Sequence, residues 1–153
     1  MHKYQASIDV IIEAERQCYH GSQRDQLTRQ EICRAKCEAF TEALIKMHPE
    51  LKRVAGFFKW SGMIVNLGAE HWWCVDPEGN IIDPSVEQFG EREGQEKIYT
   101  VFDPKTHRIK IGCCMNCGWD IYGLQEEGPL SVCPPGHNDP DQDCEAELSR
   151  HYS

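Results

Sequence analysis

The stretch His71-Trp72-Trp73-Cys74-Val75-Asp76-Pro77-Glu78-Gly79-Asn80-Ile81-Ile82-Asp83 sets two runs of apolar, β-branched and aromatic residues around five consecutive turn formers. Asp, Pro, Gly and Asn each favour reversal of the chain for their own steric or hydrogen-bonding reason, so the segment predicts a β-hairpin. Side chains alternate across a strand, and the register therefore decides what the hairpin presents. In an even register, in which opposed residue numbers sum to an even value, His71 and Asp83 project from one face as diagonal neighbours. An odd register puts them on opposite faces and leaves His71 an incidental member of an aromatic strand.

Working outward, Val54 to Trp60 and Ile64 to Leu67 share the aromatic and β-branched character of a sheet. Lys97 to Phe102 and Arg108 to Gly112 read as a further strand pair around the turn Asp103-Pro104-Lys105-Thr106. On the amino-terminal side the period changes. Ile8, Ile11, Ile12 and Glu15 fit one amphipathic helix ending near Gly21, followed by the polar stretch Ser22 to Gln26. Thr28 and Glu31 have capping-box spacing, and Phe40, Ala43, Leu44 and Met47 recur at helical intervals until His48-Pro49. Periodicity admits either one helix from Arg29 or a loop followed by a helix from near Lys36. Helices first and strands after them predict an α+β domain, a helix packed on an antiparallel sheet.

The chain has 153 residues, which corresponds to one domain or one domain with a small appendage. A chain of this size buries about 68 to 70% of its unfolded surface and needs no covalent staples. Nine cysteines are therefore a surplus to be explained. The net charge of −9 is spread along the chain and argues against nucleic acid or anionic lipid as a partner. No run approaches the ~18 apolar residues of a membrane span, and Met1 to Val10 lacks a signal-peptide pattern, so a cytoplasmic location is expected. In a reducing compartment, cysteines serve as metal ligands, nucleophiles or small buried apolar residues.

Cys37 stands three residues before Phe40 and seven before Leu44, so on a helix its thiol shares their core-facing side. That position suits a small buried apolar residue and equally a nucleophile aimed at the strand bearing His71. In the second case Asp83 fixes the tautomer, His71 takes the thiol proton and Cys37 attacks an acyl carbon. A helix amino terminus at Cys37 would lower the thiol pKa and supply an N–H for the oxyanion. Gln26, Gln30 and Asn66 are candidate oxyanion side chains by chemistry alone. Of Trp60, Trp72 and Trp73, which could line a cleft, at least two are expected in the core.

The order Cys37, then His71-Trp72-Trp73, then Asp83-Pro84-Ser85 resembles the transglutaminase-like family of the papain-like cysteine protease superfamily. The similarity runs from Cys37 through Pro49-Glu50-Leu51 and the His-Trp-Trp strand to about Phe89, and is greatest to small bacterial and phage members. It implies a papain-like core with Cys37, His71 and Asp83 as nucleophile, base and orienting acid. Many members carry glycine shortly before the nucleophile, where this chain has Arg34-Ala35-Lys36, and Cys33 is a rival nucleophile four residues upstream. The acceptor is left open between water, giving a peptidase or glutamine deamidase, and an amine, giving a transglutaminase. Hydrolysis of a protein or peptide amide is favoured. The alternative is a catalytically inactive, protein-binding module.

Beyond Gly112 the chain is poor in apolar runs and cannot build a core alone. Cys114-Met115-Asn116-Cys117-Gly118 is a Cys-x2-Cys-Gly knuckle of the kind that presents two thiolates to one metal ion. Cys133 and Cys144 complete a four-thiolate zinc set, with His137 the alternative to Cys144. Four protein ligands make a structural rather than a catalytic zinc. The expected organisation is a transglutaminase-like domain over residues 1–110 and a zinc-ribbon-like or treble-clef-like module over 111–153. The acidic residues around that cluster again argue against nucleic acid.

Overall fold

The computed structural model describes residues 2–132, which form a mixed α+β structure built on a curled antiparallel sheet. Helix α1 (Gln5–Arg16) buries Ile8, Ile11 and Ile12, the stripe expected from its sequence. It stops at Arg16, short of Gly21, and the Arg16 guanidinium donates to the carbonyls of Arg24 (2.9 Å) and Leu27 (2.7 Å) in the segment that follows. Gly21, with φ 63°, instead precedes a second short helix, α2 (Ser22–Gln26), which buries nothing. The Thr28 hydroxyl accepts from Glu31 N–H and the Glu31 carboxylate from Thr28 N–H, closing the expected capping box at the start of α3 (Arg29–Cys33).

Of the two alternatives for the next segment, the second gives the helix start near Lys36, and what precedes it is a short helix and a break rather than a loop alone. Two helices are present, broken at Arg34-Ala35-Lys36, and α4 (Cys37–Met47) begins at Cys37 itself. The break is made by Ala35, whose φ of 57° places a residue with a β-carbon in the left-handed region. Such a conformation costs an L-residue roughly 1–2 kcal/mol, and glycine adopts it without that cost.

The sheet has the order β3-β2-β1-β4, from strands β1 (Lys52–Trp60), β2 (Ala69–Val75), β3 (Ile81–Ile82) and β4 (Lys97–Val101). The hairpin between β2 and β3 closes on Asp76, whose Oδ1 accepts the N–H groups of Glu78 (3.0 Å) and Asn80 (2.8 Å), while Gly79 takes φ 87°. Cys74 pairs with Ile82 and Val75 with Ile81, which is the even register. One face of the sheet, carrying Cys74 and Ile82, packs against Ile8, Ile12, Ile32, Phe40 and Leu44 from the helices. Each of these buried side chains contributes roughly 1.5–3 kcal/mol. The other face gathers Phe58, Trp60, His71, Trp73 and Tyr99, with Phe89 stacked on Phe58 at 3.8 Å between ring centroids. Gly56 lies across from His71, and a β-carbon there would collide with the Thr100 carbonyl and the Trp73 ring, so the close approach requires glycine.

The described residues divide into two compact units between Val101 and Phe102. The strands expected to pair across Asp103-Pro104-Lys105-Thr106 are both present, but not with each other. The long β1 captures β4 and thereby buries the Tyr99 ring, whereas β5 (Ile109–Cys113) pairs with β6 (Asp120–Gly123). Between them Asp103 spends its carboxylate on Lys105 N–H (3.0 Å) and the Thr106 hydroxyl (2.8 Å), a self-contained turn. Residue 110, the expected domain boundary, thus falls inside β5. Among the described residues, the apolar core of the second unit consists of Cys114 and Ile121 with Ile111, Cys117 and Leu130 against them, a small core for an independent fold.

Candidate active site

Helix α4 starts at Cys37 without a side-chain cap, so its first-turn N–H groups are not consumed by a capping residue. The first turn is instead held from below. The buried Thr41 hydroxyl lies 2.8 Å from the Cys37 carbonyl and 2.9 Å from that of Glu38, and Arg53 Nε donates to it at 2.9 Å. The Arg53 guanidinium also covers the Trp72 ring at 4.0 Å, tying the start of α4 to β2.

Strand β3 is only two residues long and covers β2 at Cys74 and Val75 alone. The rest of that β2 edge is open, and the start of α4 uses it: Trp72 N–H and Glu38 N–H both interact with the Cys37 sulfur. His71, on the same stretch, is 2% exposed. Its Nε2 lies 2.7 Å from Asp83 Oδ2, as the even register implies. The carboxylate is fully engaged, Oδ2 also accepting from the Tyr99 hydroxyl (2.9 Å) and Oδ1 from Ser85 N–H (3.1 Å) and the Ser85 hydroxyl (3.4 Å). An Asp83 that accepts from every side fixes the proton of neutral His71 on Nε2. Nδ1 is then left for the thiol. That atom is buried and has no geometric hydrogen bond, although the Cys37 thiol lies close enough to interact with the ring. Catalytic contacts of this kind commonly tighten only when substrate binds.

No family model, curated protein or solved structure matches the chain.

Burial alone would push the Cys37 thiol up, but His71 and the N–H groups of Trp72 and Glu38 outweigh it and bring the thiol below its ordinary value. Burial alone would likewise depress His71, yet the hydrogen bond to Asp83 and the interaction with Cys37 raise it to about 9. Both shifts favour a thiolate beside an imidazolium at neutral pH. The rival thiol Cys33 sits on α3, is 0% exposed, and is pushed by burial to about 12. Cys74, in the helix-facing core, is pushed to about 11 for the same reason. Burial and the neighbouring Asp83 also hold the Tyr99 hydroxyl well above its usual range, so it stays a donor.

Of the tryptophans, Trp60 and Trp73 are core residues and Trp72 is half-buried beneath Arg53. The candidate oxyanion side chains lie elsewhere. Gln26 and Asn66 are exposed, and Gln30 Nε2 reaches the Gln88 carbonyl at 3.5 Å. The Trp72 N–H and the supporting Tyr99 have no signature in the sequence, because they depend on where β3 ends and on the β1–β4 register, whereas an N–H from the helix start was expected and Ser85 stands in the Asp83-Pro84-Ser85 stretch.

In the second unit, Cys114 is buried and Cys117 half-buried on a turn closed by Gly118 N–H donating to the Cys114 carbonyl at 2.8 Å, with Gly118 at φ 75°. Cys113 is exposed, its thiol donating to the Gly118 carbonyl at 3.5 Å. Cys133, Cys144 and His137 lie outside the described residues. Among the described residues no three His, Cys, Asp or Glu side chains converge on one point, so two thiols of the expected zinc set are in view. No helix among the described residues is long and apolar enough to cross a membrane.

Proposed function

We propose that the protein is a thiol-dependent acyl-transfer enzyme with a transglutaminase-like, papain-like core, hydrolysing an amide in a protein or peptide. The observation that carries this reading is the buried His71 held by Asp83 on one nitrogen and left open to Cys37 on the other, beside a thiol lowered where Cys33 and Cys74 are raised. In the reaction the Cys37 thiolate attacks the amide carbon, and backbone N–H groups at the helix start receive the developing oxyanion. The C–N bond breaks as the His71 imidazolium gives its proton to the departing amine or ammonia, leaving a thioester. Water, losing a proton to His71, then adds to the thioester, and the thiolate leaves. A peptide bond so treated is cleaved, and a glutamine side chain becomes glutamate.

The test is an acid quench of the protein with glutamine-containing peptides, followed by intact mass spectrometry. An acyl adduct on Cys37 that is absent from Cys37→Ser, with product gaining the mass of water across a broken bond or exchanging ammonia for water, is expected. No adduct and no product across a diverse peptide set would overturn the reading. A reducing, cytoplasmic setting goes with a chemistry that needs Cys37 as a free thiol.

The second unit adds a structural role. Cys114 and Cys117, on a turn shaped for two thiolates, fit half of a tetrahedral site, and we assign Cys133 and Cys144 as the other half of a zinc-ribbon-like or treble-clef-like module. When bound, zinc would provide the folding free energy that Cys114 and Ile121 cannot. Elemental analysis should return about one zinc per chain, falling in parallel with loss of the unit's protection from proteolysis on chelation. Metal-free protein with all four thiols open to alkylation would refute the assignment.

A further inference from the structure

The chain that supports Asp83 does not end at Ser85. Ser85 Oγ, which donates to Asp83 Oδ1, accepts in turn from Gln88 Nε2 at 3.1 Å. The other end of the same amide, Gln88 Oε1, accepts the N–H of Ala35 at 3.3 Å. Ala35 is the residue in the left-handed conformation, two positions before the nucleophile. Gln88 itself belongs to a 3-10 turn, Val86–Phe89, anchored on α3 by the Arg29 to Glu87 pair at 2.8 Å and by Gln30. One side chain thus joins the loop of the orienting acid to the strained residue that turns the chain into α4.

We propose that Gln88 is a positioning residue that sets Cys37 against His71 by holding Ala35 in its left-handed conformation and referring it to Asp83 through Ser85. The inference rests on the acyl-transfer reading of the same site. An amide is suited to the task because it accepts at one end and donates at the other, as the Ala35 N–H and the Ser85 hydroxyl require. Ala35 needs the restraint because it lacks the freedom of glycine to adopt φ 57° unaided. The sulfur's distance from Nδ1 is set by where α4 begins, and a displacement of an ångström there carries about a hundredfold penalty.

The experiment follows alkylation of Cys37 by iodoacetamide against pH, with peptide mapping, in the full chain. Gln88→Met keeps the length and packing of the side chain and removes both hydrogen bonds. It is expected to slow Cys37 labelling at neutral pH by about 10- to 100-fold and to move its profile to higher pH. Adding Ala35→Gly to Gln88→Met should restore most of the loss, since glycine needs no tether. Ser85→Ala cuts the chain one link further on and should shift the profile the same way by less, which keeps the test open if Gln88→Met folds poorly. A Gln88→Met profile that superimposes on the wild type, even with a lowered melting temperature, overturns the proposal, as does a double variant no better than Gln88→Met. Wild-type Cys37 that labels no faster than in His71→Ala would instead overturn the acyl-transfer reading itself.

Discussion

His71→Ala is expected to lower acyl transfer by about 10³-fold, within the range seen for loss of a positioned acid–base group. The physical reason is twofold. With the imidazole gone, burial of the Cys37 thiol is opposed only by the N–H groups of Trp72 and Glu38, so its pKa rises and little thiolate is present at neutral pH. The departing amine also loses its proton donor. The two losses separate by pH. Iodoacetamide labelling of Cys37, which needs only the thiolate, should recover in the variant as the pH is raised through the range of an ordinary or raised thiol, whereas amide cleavage should not. In the wild type, turnover should rise with pH as Cys37 ionises and fall again near 9, where His71 gives up the proton that the leaving group needs. Those limbs belong to the coupled pair rather than to either residue alone. The exposed Cys18 and Cys113 serve as internal controls and should label alike in both proteins. Equal Cys37 labelling of wild type and variant at pH 7 would break the thiolate–imidazolium pairing.

How much of this was legible in the residues divides along a clear physical line. The hairpin could be anticipated because Asp76 to Asn80 impose a local geometry, while its register stood open between even and odd; the even one is found, and the side-chain period of two then carries His71 and Asp83 to one face. The capping box at Thr28 was legible for the same reason, being a contact between near neighbours. The Cys33–Cys37 ambiguity was not, since the break between α3 and α4 rests on an alanine in a conformation that no propensity favours, held from Gln88 far along the chain. Tyr99 was equally hidden. Its hydroxyl meets Asp83 only because β4 pairs with β1, and local patterning pointed instead to a partner across the Asp103 turn. For the oxyanion, an N–H from a helix start at Cys37 was legible in the pattern, whereas side-chain chemistry drew attention to Gln26, Gln30 and Asn66, and the Trp72 N–H beside the sulfur comes from backbone that every residue shares.

Asp83→Asn is expected to cost more than the size of the change suggests, about 10⁴-fold in turnover, with the fold retained. The orientation of the new amide is forced by its neighbours. Ser85 N–H can only donate, so the side-chain oxygen must occupy the Oδ1 position, 3.1 Å from it. The amide nitrogen then takes the Oδ2 position, facing His71 Nε2 and the Tyr99 hydroxyl. Tyr99 can rotate its proton away and accept, but Nε2 has no such freedom. It must accept from the amide, which moves the imidazole proton to Nδ1, the nitrogen that faces Cys37. A neutral histidine of that tautomer cannot take the thiol proton, and without the carboxylate the imidazolium loses the hydrogen bond that counters its burial and holds it near 9. Cys37 labelling should shift to higher pH as it does in His71→Ala, although the imidazole is still present. Tyr99→Phe provides the contrast, removing one donor to Asp83 while leaving the tautomer intact, and should reduce turnover far less. An Asp83→Asn protein that labels and turns over like the wild type would show that Asp83 neither fixes the tautomer nor supports the charge on His71.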